Sequence, residues 1–277
     1  MHFISLIASE RKKGNSDCLG RLALKEALKK GVSSGELLYL NDFKIYQCQG
    51  CMECVFKGKL CKLDDDLYEL LGKIRAADVL ILIAPTYILS VPGSLKLLLD
   101  RYLTMPAYFG YTMDKSAVSI GVASLPDWHQ FQLPMMNLLL LCMGFRVIDS
   151  FIAYGAGQGE VLLGDAVGKL KKSVENLCRD VKINPFRSQV SNHCPVDFST
   201  LFERTEDESY RCPVCLTPCE RKGNGFYFKA EDLNSHRWLP QNVRDHFDNW
   251  ILKTGPRFKK NLREIQEMKR ELSIDVD

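Results

Sequence analysis

The chain has 277 residues, 46% of them hydrophobic, which is enough for one substantial core and a smaller appended unit. A formal net charge of +3, with both signs mixed along most of the sequence, is too small to imply nucleic acid by itself. The opening apolar run is too short for a secretory leader, and no stretch reaches the roughly 18 uncharged apolar residues of a membrane span, so the eleven cysteines are expected in a reducing, cytoplasmic setting as ligands or reactive thiols.

Residues 2–8, HFISLIA, read as a first strand, and LGRLALKEALKK as the helix after it. Between them lies a polar loop in which Ser9, Asn15 and Ser16 offer short hydrogen-bonding side chains, Arg11 to Lys13 offer positive charge, and Gly14 lets the backbone turn. That combination suits a phosphate at a helix N-terminus, with an ordinary helix cap as the competing reading. GELLYL, residues 35–40, reads as a second strand. It leads to Cys48, Cys51, Cys54 and Cys61, spaced two, two and six residues apart, with Gly50 and Gly58 to supply bends. Such spacing points first to a 4Fe-4S cluster, with zinc or a metal-free redox thiol set as the alternatives. Asp64, Asp65 and Asp66 read as acids opening the helix LYELLGKIRAA, where its dipole favours them.

VLILIA, residues 79–84, is a continuous apolar run expected of a central strand covered on both faces. The loop after it, PTYILSVPGS, combines the stiffness of Pro85 and Pro92 with the flat ring of Tyr87 and the small polar groups of Thr86 and Ser90. A planar heterocycle would suit it. A fourth strand is expected at Lys115–Ala123, a methionine-rich core or interface helix at Phe131–Met143, and a fifth strand at Phe145–Ala153. The turn YGAGQGE and a helix to about Arg179 complete the series, and Trp128 and His129 border the proposed pocket.

Alternating strands and helices predict an α/β fold, a three-layer flavodoxin-like sandwich whose five-stranded parallel sheet has the order 2-1-3-4-5. The phosphate loop and the ring loop would then meet at the switch-point crevice.

With these residues in place, IASERKKGNS resembles the phosphate loop of the NADPH-dependent FMN reductase family. The segment from Cys48 through the aspartates to APTYILSVPGSLKLLLDR is similar to that family's cysteine, strand and flavin-ring segments. The four-cysteine motif most resembles the iron-sulfur flavoproteins of anaerobes, and the resemblance covers residues 1 to about 180. It implies that Ser9, Arg11, Asn15 and Ser16 hold the FMN phosphate, that Pro85, Thr86, Tyr87, Ile88 and Ser90 line the isoalloxazine, and that Cys48, Cys51, Cys54 and Cys61 hold a 4Fe-4S cluster. Glu10, where the family usually has proline, and the glycine-poor GVASLPDWHQ depart from the pattern.

From Pro185 the composition changes, so residues 1–184 are expected as the flavodoxin-like domain and 185–277 as a zinc-ribbon-like module with C-terminal helices. Cys212-Pro-Val-Cys215 is one knuckle, and Cys194-Pro-Val-Asp resembles a second that has lost a thiol. The expected zinc ligands are Cys194, Cys212, Cys215 and Cys219, with His193 or Asp197 as alternatives for the fourth, and a second iron-sulfur centre or an empty ribbon as the competing readings. An amphipathic helix comes next, then a basic one. His236 and Arg237 lead that segment and are placed to reach a neighbouring subunit's flavin.

The expected function is an FMN-dependent oxidoreductase coupling one-electron transfer to flavin chemistry, with NAD(P)H or ferredoxin as donor, in a homodimer or homotetramer. No catalytic acid or base is assigned. A pure electron carrier is the alternative, and a redox-sensing nucleic-acid-binding protein the third reading.

Overall fold

The computed structural model describes residues 1–110, 115–179 and 185–272, without the side chain of Ala107. The chain runs β1 (His2–Ile7), α1 (Asn15–Lys29), β2 (Ser34–Tyr39), α2 (Glu53–Phe56), α3 (Leu67–Ala76), β3 (Val79–Pro85), α4 (Gly93–Asp100), α5 (Met105–Phe109), β4 (Lys115–Ala123), α6 (Gln132–Cys142), β5 (Phe145–Tyr154) and α7 (Ala166–Cys178). The tail adds β6 (Gln189–Ser191), β7 (Glu203–Arg204), β8 (Tyr210–Arg211), β9 (Pro218–Lys222), β10 (Gly225–Phe228), α8 (Ala230–Leu233), α9 (Pro240–His246), α10 (Thr254–Lys260) and α11 (Leu262–Glu271).

Strands β1 to β5 form a parallel sheet in the order β2-β1-β3-β4-β5, as the alternating pattern predicts. Because strand side chains alternate between faces, β1 sends Ile4 and Leu6 to one side and Phe3 to the other, and β3 divides Leu80 and Leu82 from Val79, Ile81 and Ile83. The first face packs on Leu67, Leu70, Leu71 and Ile74 of α3, Leu95 and Leu98 of α4 and the leucines of α6. The second packs on Leu19, Ala23 and Ala27 of α1 and Leu170, Val174 and Leu177 of α7. Helix α1 lies so close that a Cβ on Gly20 would meet Ile7 Cδ1 at 2.5 Å. The methionine-rich helix is core: Met136, Leu139, Leu140 and Leu141 are all buried.

The tail forms a second sheet, β6-β10-β9-β8-β7, whose neighbouring strands pair antiparallel. Cys194, Val196, Cys212, Cys215, Cys219, Phe228 and Leu233 belong to the same buried cluster as the first face of the parallel sheet. A polar knot fastens the two: Asn137 on α6 accepts from Ser119 Oγ of β4 at 2.5 Å and donates to Ser150 Oγ of β5 at 3.0 Å and to the Asp197 carbonyl at 2.6 Å. The boundary expected at residue 184 falls at the end of segment 180–184, which lies outside the described residues. No helix among the described residues is long and apolar enough to cross a membrane.

Candidate functional site

Loops at the carboxyl ends of β1, β3, β4 and β5 enclose a cleft of about 590 Å³, within the range of small-molecule sites. One end is built on the start of α1. Lys13 takes the left-handed conformation at φ 68°, and Gly14 turns so tightly that a Cβ there would stand 3.1 Å from Arg11 Cβ and its carbonyl. No side chain caps the helix, so its first-turn amides face the cleft with the hydroxyls of Ser9 and Ser16. Asp17 lies buried just behind, held by Arg21 Nε at 2.9 Å, Tyr39 OH at 2.5 Å and the Lys13 amide at 3.1 Å. Burial works against its charge, yet the bonds from Arg21 and Tyr39 prevail and hold the carboxyl below the usual range. This acid is thereby offset, and the helix end keeps its attraction for an anion.

The other end is a flat, less polar wall. Thr86 donates its amide to the Val122 carbonyl at 2.8 Å and its hydroxyl to Gln132 Oε1, while Gln132 Nε2 donates to the Ala84 carbonyl at 2.7 Å. Tyr87 and Ser90 exchange backbone hydrogen bonds of 2.9 and 3.1 Å across a two-residue turn. Ile88 (φ 43°) and Leu89 (φ 66°) both sit in the left-handed region there, which is costly for a β-branched residue. Tyr87, Ile88, Leu125, Trp128, Phe131 and Tyr154 are exposed, and His129 Nε2 lies 2.8 Å from Tyr154 OH.

Ser9, Arg11, Asn15, Ser16, Pro85, Thr86 and Tyr87 line this cleft together, whereas Ile88 and Ser90 do not. Asn15 has a task that its neighbours in sequence do not reveal. Its amide donates to the Gly155 carbonyl at 2.9 Å and accepts from the Gly159 amide at 2.7 Å, so the side chain ties the β1 loop to the β5 loop. The β5 loop brings in Gly155, Ala156 and Gln158, which local sequence pattern did not single out. The signal was the glycine run of YGAGQGE, placed after a strand end.

Cys48, Cys51, Cys54 and Cys61 line one pocket beside Arg101 and Thr104. Positive φ at Gly50, Met52 and Gly58 wraps the loop, and the Gly50 amide donates to Cys48 Sγ at 3.4 Å. Burial, then the nearby Cys61, raises the Cys54 thiol above its ordinary range. Four soft donors around one pocket, with an amide aimed at a sulfur, fit an iron-sulfur cluster. The aspartates do more than open a helix. Asp66 accepts from the Lys44 amide at 2.7 Å and Asp65 from the Tyr46 amide at 2.9 Å. Asp65 also pairs with Arg101 Nη1 at 2.5 Å, both side chains at most 1% exposed. They clamp the two ends of the cysteine loop together.

In the tail, ligand atoms of Cys194, Cys212 and Cys215 converge with a carboxylate oxygen of Asp197, all four buried. Cys219 lies outside that set, on β9 opposite Tyr210, and burial pushes its thiol up to about 12. His193 stacks on Phe198 at 5.0 Å instead of joining the set. His236 is 4% exposed within its own chain, so it is not presented to a neighbouring subunit.

Comparison with known proteins agrees with this arrangement. The family profile of NADPH-dependent FMN reductase matches residues 1–156, more than half the chain. An iron-sulfur flavoprotein of Archaeoglobus fulgidus is 35% identical over 171 residues, covering 60% of this chain and 83% of the relative. One of Methanocaldococcus jannaschii is 34% identical over 126 residues, 44% of this chain and 63% of the relative. Among solved structures, a flavone reductase shares the fold over 100% of this chain and 99% of its own, with a TM-score of 0.76 at 18% identity. Sequence, sheet order and cleft position thus converge, and the chain belongs to the NADPH-dependent FMN reductase and iron-sulfur flavoprotein family.

Proposed function

We propose that the protein is an FMN oxidoreductase that accepts electrons from NAD(P)H or a ferredoxin-type carrier and delivers them to a flat organic acceptor. The observation that carries this reading is the two-ended cleft at the tips of β1 and β3, with the uncapped start of α1 at one end and the Pro85–Tyr87 wall at the other. When bound, the flavin supplies the change-over between two-electron and one-electron transfer, and a cluster on Cys48, Cys51, Cys54 and Cys61 supplies single electrons. The α1 amides, Ser9 and Ser16 would hold the phosphate, with Arg11 and Lys12 adding charge at the mouth. Asn15 keeps the β1 and β5 loops at a fixed separation, and Thr86, locked through Gln132, sets the height of the wall. The exposed aromatic rim gives the open side of the ring an apolar face for an acceptor or for a second copy of the chain in a homo-oligomer.

Anaerobic purification with absorbance, flavin and iron analysis tests the cofactors, and oxidation of NADH or NADPH with a quinone-type acceptor tests the activity. A protein that neither retains flavin nor binds added FMN overturns the reading. Rapid electron exchange with ferredoxin but no acceptor turnover would assign the role of electron carrier instead.

A further inference from the structure

The tail contains one turn written twice. CPVDFS at 194–199 and CPVCLT at 212–217 have the same backbone bonds: Phe198 donates to the Cys194 carbonyl and Leu216 to that of Cys212, each at 2.8 Å. Cys194 and Cys212 in turn donate to the carbonyls of Ser199 and Thr217 at 2.8 and 3.0 Å. The fifth residue of each copy is left-handed, Phe198 at φ 57° and Leu216 at φ 61°. Laid copy on copy, Asp197 falls where Cys215 stands. It therefore occupies the second ligand position of its own knuckle.

The four ligand atoms lie within 4.8 Å of one another, with Cys194 Sγ 3.4 Å from Cys215 Sγ and Cys212 Sγ 3.2 Å from Asp197 Oδ2. A tetrahedral ion with Zn–S bonds of about 2.3 Å has ligand–ligand edges of about 3.8 Å, so small side-chain adjustments would seat it. All four residues are 0% exposed. Three thiols and a carboxylate gathered away from water repel once ionised, and a divalent cation is the simplest counterweight. Four protein ligands in a closed, dry setting describe a structural site, not an open catalytic one.

The second knuckle also anchors the start of the C-terminal helices. Its carbonyls at Cys215 and Val214 accept from the Arg237 amide at 3.2 Å and from Trp238 Nε1 at 2.9 Å. Trp238 meets Tyr102 edge to face at 6.1 Å, and Tyr102 meets Phe247 at 6.0 Å. Phe247 and Ile251 close with Val55 into a buried cluster that touches Met52 and Cys54 of the four-cysteine loop. We propose that Cys194, Asp197, Cys212 and Cys215 bind a structural zinc ion, and that this ion is the clasp holding the C-terminal helices over the Cys48–Cys61 loop.

The test is zinc and iron content by mass spectrometry of purified full-length variants, with amide exchange as a second readout. Wild type, Cys219→Ser and Asp197→Cys are expected to carry one zinc per chain, and Asp197→Ala at least tenfold less. In Asp197→Ala, exchange over residues 50–56 and 243–251 is expected to rise at least tenfold, while flavin content stays unchanged, which separates this inference from the flavin reading. Should Asp197→Ala fail to fold, the pair Asp197→Cys and Cys219→Ser still decides the ligand set. Zinc lost from Cys219→Ser, iron in place of zinc, or a Cys194–Cys215 disulfide in the native protein would overturn the site. Zinc loss with unchanged exchange would overturn the clasp.

Discussion

The Arg101–Asp65 pair offers the sharpest energetic test of how the cysteine loop is held. Replacing Arg101 with methionine keeps the apolar stem of the side chain but removes donations to Asp65 Oδ2 at 2.5 Å, Asp65 Oδ1 at 3.5 Å and the Tyr46 carbonyl at 3.0 Å. Asp65 is left as a buried carboxylate held by the Tyr46 and Leu67 amides, at 2.9 and 3.3 Å. Breaking one side of a buried ion pair costs about 3–5 kcal/mol. Every lost bond lies at the base of the loop, so the cost falls on its local opening. At about 1.4 kcal/mol per factor of ten, that predicts exchange of the Tyr46 and Leu67 amides faster by about 140- to 3,700-fold. Hydrogen-exchange mass spectrometry over residues 44–67 reads this directly, and the Asp65→Asn and double variants complete the cycle. Exchange within tenfold of wild type, or effects that simply add in the double variant, would refute the clamp.

A Cβ at Gly155 would meet Val161 N at 2.8 Å and Val161 Cγ1 at 2.9 Å, so Gly155→Ala should displace the β5 loop. FMN affinity measured by fluorescence quenching is expected to fall at least tenfold, with about 1–3 kcal/mol lost in urea unfolding. Ile88 is 86% exposed at φ 43°, so Ile88→Asn gives up little packing and relieves left-handed strain. It should raise stability by about 1 kcal/mol in the same assay, and a loss of stability would contradict the strain argument. Burial, then the nearby Arg146 guanidinium, pushes His236 down from 6.5 to about 4. The unfolded chain binds the extra proton first, so stability is full above about pH 6.5 and declines by about 3 kcal/mol as pH falls toward 4. His236→Asn should flatten that part of the pH profile, and an unaltered slope would place its origin elsewhere.

The parallel sheet was legible because buried strands leave a signature that needs no context. HFISLI and VLILIAP are apolar runs bounded by turns, and their order dictates where the β1 and β3 loops meet. Side-chain roles that depend on distant backbone were not legible. Asn15 bonds to residues 140 and 144 positions away, and Asp65 to an arginine 36 away, so neither partner could be named from local pattern. Asp197 is a different case. Its clue was local, the repeat of CPVDFS in CPVCLT, but counting thiols favoured Cys219, whose sulfur lies outside the converging set. His236 is placed by the sequence to reach toward a neighbouring subunit, whereas its cover comes from segments distant in sequence that no local pattern names.

Asn137 divides its one amide among three masters: a serine from each of the neighbouring strands β4 and β5 and the main chain of the first tail knuckle. A shorter chain ending near residue 185 would strip the Asp197 carbonyl from that amide and open to water the apolar face on which Cys194, Val196 and Phe228 pack. The parallel sheet and its appendage share one buried cluster as well as this amide, and they are therefore expected to melt in a single transition.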